Sequence, residues 1–233
     1  MLSVIVLSSL LAAPASDRTG DVYFEQVTVT SVDGKPTGPG VTSRVWSSGR
    51  RLRLEVGPGP HAPALLILLD AGRALRLDPV EKVAEEVGLD RLRARSHADA
   101  SVAGDLMGAA EEGAVRTRPL GTSRIVAGHP CDDYRITGPL LRMDVCVAVG
   151  VPLRVDAFTD FLEWSGAEQS LGGILAEMKR LPGFPLETRT RVEVVGSVHQ
   201  TRSTITRIRV GPQPTGLFAP PPGYRVVAEA PEP

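Results

Sequence analysis

Along much of this chain apolar and polar positions alternate with a period of two, the pattern of strands buried on one face. Asp21–Thr30 (DVYFEQVTVT) is rich in β-branched and aromatic residues and predicts the first strand. Val41–Trp46 follows the turn chemistry of residues 32–40. In Arg50–Val56, Leu52, Leu54 and Val56 alternate with Arg51, Arg53 and Glu55. Ala64–Leu69 is apolar at every position, so this strand is covered on both faces or turns one face to an apolar cavity. Ala74–Leu77 ends at Asp78-Pro79. Beyond it, through Val80–Gly113, the alternation disappears. Leu89–Arg95 and Ala98–Glu112 read as helices, the second with Val102, Leu106, Ala109 and Ala110 on one stripe. A further helical stretch has a capping-box pair at Asp160 and Glu163, and Leu171, Ile174, Leu175 and Met178 at helical spacing up to Pro182-Gly183. The C-terminal part returns to alternation. Thr188, Thr190, Val192 and Val194 oppose Arg189, Arg191 and Glu193, and a similar strand covers Thr201–Val210.

The most ordered pattern lies in Gly128–Leu153. A turn at Gly138-Pro139 that pairs Thr137 with Leu140 brings Cys131 opposite Cys146. In that register Tyr134 faces Met143 and Ile136 faces Leu141, while Asp133, Arg135, Arg142 and Asp144 share the other face with the cysteines. The register carries a cost, because Asp133 then opposes Asp144 and Arg135 opposes Arg142; diagonal Asp–Arg contacts must offset two like-charge pairs.

Short links between most strands favour antiparallel pairing. Roughly nine to eleven strands with two helical insertions place the fold in the α+β class, a curved sheet wrapped over helices. No linker divides the chain. Residues 16–227 are expected to form one domain, and residues 228–233 a flexible Pro-rich tail.

Composition narrows the function. Lys+Arg 26 against Asp+Glu 27 leaves a net charge of -1, which argues against a nucleic-acid partner. Leu2–Ala13 is apolar or small and Ala13-Pro14-Ala15 suits a signal peptidase, so residues 1–15 read as a signal peptide cut after Ala15 and the protein as periplasmic or secreted. The run is shorter than the ~20 residues of a transmembrane helix. Two cysteines in an exported chain point to one disulfide, Cys131–Cys146, worth ~3 kcal/mol by the chain-entropy estimate. A metal site built from the same pair and His129 falls one ligand short of a closed zinc site.

Trp46 with GRRLRLEV (49–56), LLILLD (65–70), LRLDPVEK (75–82), GHPCDDYRI (128–136), PLRVDAF (152–158) and LFAPPPGY (217–224) resembles an exported domain-of-unknown-function family of the LolA/LolB-like periplasmic half-barrel superfamily. The resemblance covers about residues 21–227. It implies an incomplete antiparallel barrel, LolA-like, with helices plugging its open side, and a role in holding acyl chains in the concave apolar face. Arg44, Arg51 and Arg53 are the arginines in the neighbourhood of an acyl-gating position.

No G-x-S-x-G elbow and no H-E-x-x-H occurs, and the four histidines (His61, His97, His129 and His199) are scattered. The expectation is therefore a non-enzymatic binding protein with no cofactor and no metal. Trp46, Leu52, Leu54, Val56, Leu66 and Leu68 are the candidate lining of an apolar pocket for a lipid or acyl group. The alternative is a structural or protein-interaction module of the cell envelope with no small ligand. The oligomeric state is not legible in the sequence.

Overall fold

The computed structural model describes residues 20–59, 62–89, 115–138, 141–152, 168–194 and 196–228. Thirteen strands form one sheet. In chain order they are β1 (Val22–Val32), β2 (Lys35–Pro36), β3 (Val41–Ser48), β4 (Arg51–Val56), β5 (Ala64–Leu68), β6 (Arg73–Asp78), β7 (Val83–Gly88), β8 (Arg116–Val126), β9 (His129–Thr137), β10 (Leu141–Ala148), β11 (Phe184–Val194), β12 (Ser197–Val210) and β13 (Arg225–Ala228). Among the described residues one α-helix, α1 (Glu168–Lys179), precedes β11, and a short 3-10 helix covers Thr215–Phe218. The sheet order is β13-β7-β6-β5-β4-β3-β1-β12-β11-β10-β9-β8, with β2 attached to β1. The expected signal peptide, the helix over residues 89–95 beyond its first residue Leu89, the helix over residues 98–112 and the Asp160/Glu163 pair lie outside the described residues.

The architecture corrects the α+β expectation. Among the described residues the chain forms a single open sheet of thirteen strands, not roughly nine to eleven strands wrapped over helices, and the described helical structure is α1 and the 3-10 turn. Part of the discrepancy is β7, which falls where strand alternation is missing from the sequence. Its register explains why: Ala84 pairs with Leu77 and Val87 with Ala74, and all four are buried. Ala84 and Val87 are three residues apart and point to opposite faces, so a strand covered on both sides shows no period of two. Its exposed chemistry is complementary to β6 instead, with Glu85 and Glu86 paired to Arg76 and Arg73. β13 adds in parallel to β7, the exception to an otherwise antiparallel order.

The two faces of the sheet carry different cores. Residues directly opposite share a face, so Phe24, Val45, Leu54 and Leu65 form one row, and Ser47, Leu52, Ile67 and Ala74 the next. α1 lies on this face: Ile174 and Met178 join Phe24, Val45, Ile136 and Val145 in the largest buried cluster. Ile174, Leu175 and Met178 of the helical spacing read in the sequence are all buried. On the opposite face Trp46, Leu66 and Leu75 pack against Leu217, Phe218 and Tyr224 of the C-terminal segment. Arg53 Nη1 donates to the Leu217 carbonyl at 3.0 Å and ties that segment down.

The chain leaves α1 and enters β11 through Gly183. A Cβ built there would collide with the Ala148 carbonyl oxygen and lie 2.8 Å from Val149 Cα, both backbone atoms that cannot swing away. Gly183→Ala is expected to cost about 1 to 2 kcal/mol by overpacking. A chemical-denaturation midpoint equal to that of the wild type would contradict this close approach.

The β9–β10 hairpin forms with Cys131 and Cys146 disulfide-bonded, their Cα atoms 5.3 Å apart. Its register is displaced by two residues from the expected one: Thr137 pairs with Arg142, and Cys146 pairs with Asp133. An even displacement preserves the faces. It also removes the like-charge pairs. Arg135 now lies directly opposite Asp144 and grips it with two bonds, Nε to Oδ1 at 2.5 Å and Nη2 to Oδ2 at 3.0 Å. The turn closes with the Gly138 amide donating to the Leu141 carbonyl at 2.8 Å.

Candidate functional site

The six apolar residues expected to line a pocket divide between the two faces. Trp46 on β3 pairs with Arg53, which pairs with Leu66, so Trp46 and Leu66 share the face covered by the C-terminal segment. Leu68 belongs to the same cluster. Leu66 is fully buried and Leu68 nearly so, whereas Trp46 is half-buried. Leu52 and Leu54 stand on the α1 face, half-buried against the largest cluster. Val56 is on that face too, pairs with Ser43 and is 43% exposed. Strand alternation separates the two groups: the odd neighbours of Leu52 and Leu54 are Arg51, Arg53 and Glu55, and these point the way Trp46 and Leu66 point.

The α1 face extends the apolar surface well beyond β4. Leu52, Leu54, Tyr134, Leu141, Met143 and Ile208, drawn from β4, β9, β10 and β12, flank the buried cluster and remain only partly covered. Tyr134, Met143 and Leu141 were visible as the apolar side of the hairpin. Ile208 is the residue that only the β1–β12 pairing brings in, opposite Phe24.

Arg44, Arg51 and Arg53, the candidates by neighbourhood for an acyl-gating arginine, all lie on the other face. Arg44 Nη2 and Arg53 Nη2 each pair with Glu55 at 2.8 Å, and Arg51 pairs with Asp70 at 3.1 Å. Arg53 also stands over Trp46, 5.9 Å from the ring, while Trp46 contacts Tyr23 at 5.0 Å and Arg209 covers Tyr23 at 4.7 Å. This row of alternating cations and rings ties β12, β1, β3 and β4 together through cation–π contacts. Its members are engaged with one another and with the C-terminal segment.

Farther along the same face, over β10–β12, the sheet is polar. Glu187 is 2% exposed and accepts from Arg189 Nε at 2.7 Å, Arg202 Nη2 at 2.9 Å and Thr204 Oγ1 at 3.3 Å, with Arg124 Nη1 at 3.0 Å. Burial alone would push its carboxyl up. The Arg202 hydrogen bond and the charges of Arg124, Arg189 and Arg202 outweigh that and hold it below the usual carboxylate range. Asp144 is likewise held down, first by its hydrogen bond from Arg135. Sequence reading placed Arg189 and Arg191 on one strand face. It did not bring Arg142 or Arg202 beside them, because that requires the order of β10, β11 and β12. The repeated Arg-x-Arg pattern on the solvent side of a strand was the available signal.

Among the described residues no group of three or more His, Cys, Asp or Glu side chains is arranged to hold a metal ion, and no helix is long and apolar enough to cross a membrane. No curated protein matches the sequence. Solved structures similar to this one include an uncharacterized conserved protein from Thermus thermophilus, at 9% identity and a TM-score of 0.46, covering 91% of this chain and 93% of that one. A LolA superfamily protein from Nitrosomonas europaea is similar at 12% identity and a TM-score of 0.33, over 86% of this chain and 90% of that one. PNGF-II is similar at 11% identity and a TM-score of 0.37 over 90% of this chain, which spans only 31% of the PNGF-II chain. A family model described as "Domain of unknown function (DUF4412)" matches residues 100–224, more than half of the sequence. The expectation of a domain-of-unknown-function family is met, and the chain belongs to the DUF4412 family.

Proposed function

We propose that this is an exported, non-enzymatic binding protein that holds an apolar group, a lipid or acyl chain, against the α1 face of the sheet. The observation that carries the reading is the run of partly covered apolar side chains on that face, Leu52, Leu54, Ile208, Met143, Leu141 and Tyr134, beside a closed core. Apolar lining of this kind is what an acyl chain requires, since each methylene removed from water contributes ~0.8 kcal/mol. Of the six residues expected from the sequence, Leu52, Leu54 and Val56 belong to this surface. Trp46, Leu66 and Leu68 support it from behind by fastening the C-terminal segment. The apolar N-terminal run supports export.

Native mass spectrometry of the protein from its exported fraction tests the reading. The expected result is an adduct of lipid mass that is lost on denaturation, together with saturable binding of a fluorescent fatty acid. Leu52→Gln/Leu54→Gln is expected to weaken the fatty acid at least tenfold while circular dichroism and the disulfide stay unchanged. A bare mass with no fatty-acid binding would sink the carrier reading and favour an interaction module of the envelope.

A further inference from the structure

The polar face opposite α1 contains an open cavity of about 520 Å³ over β1, β12, β11 and β10. Arg142, Arg189, Arg191 and Arg202 line it, with Asp144 as its single carboxylate and Ser31 and Gln200 at one side. We propose that this groove binds a phosphate group, free or borne on a lipid headgroup.

The register makes the case. Arg189 lies directly opposite Arg202, and Arg142 directly opposite Arg191. Like charges directly opposite destabilise a sheet, and here two such pairs stand side by side. Where a chain breaks a local rule without a compensating structural gain, a functional site is the expected reason. For Arg189 and Arg202 the compensation is Glu187 beneath them, which takes one donor from each. For Arg142 it is weak, and for Arg191 it is missing. Asp144 is already held by two bonds from Arg135, and Arg142 reaches it only at 3.5 Å. Arg191 is exposed and has no carboxylate partner among the described residues.

The chemistry of the occupant follows from what is left over. The lining of the groove sets four arginines, Arg142, Arg189, Arg191 and Arg202, against one carboxylate, Asp144, leaving three positive charges in excess. Each guanidinium has five N–H donors in a planar fork, and Glu187 occupies one nitrogen of Arg189 and one of Arg202. All four arginines line the groove. Arginine forks match the oxygens of a phosphate, which accepts several charge-assisted bonds at once. Glu187 holds Arg189 and Arg202 in place before the anion arrives, and the anion itself supplies the partner for Arg142 and Arg191. The inference is independent of the apolar reading, because strand alternation sets the two surfaces on opposite faces.

The full mature chain would be titrated with glycerol 3-phosphate by calorimetry and, separately, with phosphatidylcholine vesicles carrying one quarter phosphatidylglycerol by sedimentation. The variants are Arg142→Ala/Arg191→Ala, which touches neither Glu187 nor the disulfide, and Arg51→Ala as a remote exposed control. Saturable binding of glycerol 3-phosphate that falls at least tenfold in the double variant and is unchanged in the control would assign a soluble phosphate ligand. Binding to the vesicles alone, with the same variant pattern, would assign the headgroup of a bilayer lipid. Both results support the groove, and both should weaken from low salt to 0.15 M. No saturable binding of either probe, or binding that the double variant leaves unchanged, overturns the proposal, and neither result bears on fatty-acid binding to the α1 face.

Discussion

Cys131→Ala/Cys146→Ala is expected to destabilise the protein by about 3 kcal/mol, the chain-entropy value for a loop of this length. The bond closes a separation of 15 residues within one hairpin. Both half-cystines are almost fully buried, Cys131 at 2% and Cys146 at 0%, and both belong to the largest core cluster. The variant therefore loses side-chain contacts as well as the constraint on the unfolded chain, so the entropic figure is a floor. For a domain of this size the loss corresponds to a fall in Tm of roughly 6 to 12 °C. Chemical denaturation of the oxidised protein and the double variant, read by tryptophan fluorescence, measures it. A change below about 1 kcal/mol would mean that hairpin packing and the Arg135–Asp144 pair hold β9 and β10 together without help. The same experiment under reducing conditions should leave the variant unaffected and move the wild type toward it.

Glu187→Gln should cost about 2 kcal/mol at neutral pH and change the shape of the acid-unfolding curve. The side chain is buried, and three arginines bond to it or lie against it. Charge-assisted bonds contribute up to ~3 kcal/mol each. Arg189 and Arg202 are both more than half exposed, so solvent screening reduces their share. The sign of the pH effect follows from the direction of the shift. The carboxyl of Glu187 is held below its unfolded value, so the unfolded state binds the proton more readily. Its contribution is fully present above about pH 4.3, the unfolded glutamate value, and is lost as pH falls through the lower folded value. Asp144 and Glu25 shift in the same direction and add to the acid sensitivity. Thermal melts between pH 3 and 7 should show wild type and variant converging in acid. Parallel curves would mean that Glu187 is not ionised in the folded protein or is not its main acid-labile group.

Those two predictions rest on different kinds of legibility. The cysteine pairing was readable because it depends on two residues and a turn close in sequence. The Glu187 cluster was not, because its members come from β8, β11 and β12, and nothing local says that residues of these strands meet across β9 and β10. The hairpin shows where the boundary falls. Alternation put Tyr134, Ile136, Leu141 and Met143 on one face and the cysteines with Asp133, Arg135, Arg142 and Asp144 on the other, and a displacement of two leaves that assignment intact. The register itself was decided by the closure of the turn between Gly138 and Leu141 and by the gain from placing Arg135 opposite Asp144 in place of Arg142. The same limit affected the apolar candidates. Leu52, Leu54 and Val56 could be put on one face of β4 from the sequence. Whether Trp46, Leu66 and Leu68 stood with them depended on how β3 and β5 register against β4, and they stand on the other side.

By itself the sequence determined most of the strand positions, the turns between them, the helical spacing of Ile174, Leu175 and Met178, and the partners of the disulfide, since each follows from a period or a spacing a few residues long. Only the tertiary structure decided that residues 83–88 form a strand, that thirteen strands make one open sheet, and that four arginines from three strands border one groove. The physical reason is that side-chain direction along a strand is a local property of the backbone, whereas register, strand order and the covering of each face are set by contacts between residues far apart in the chain.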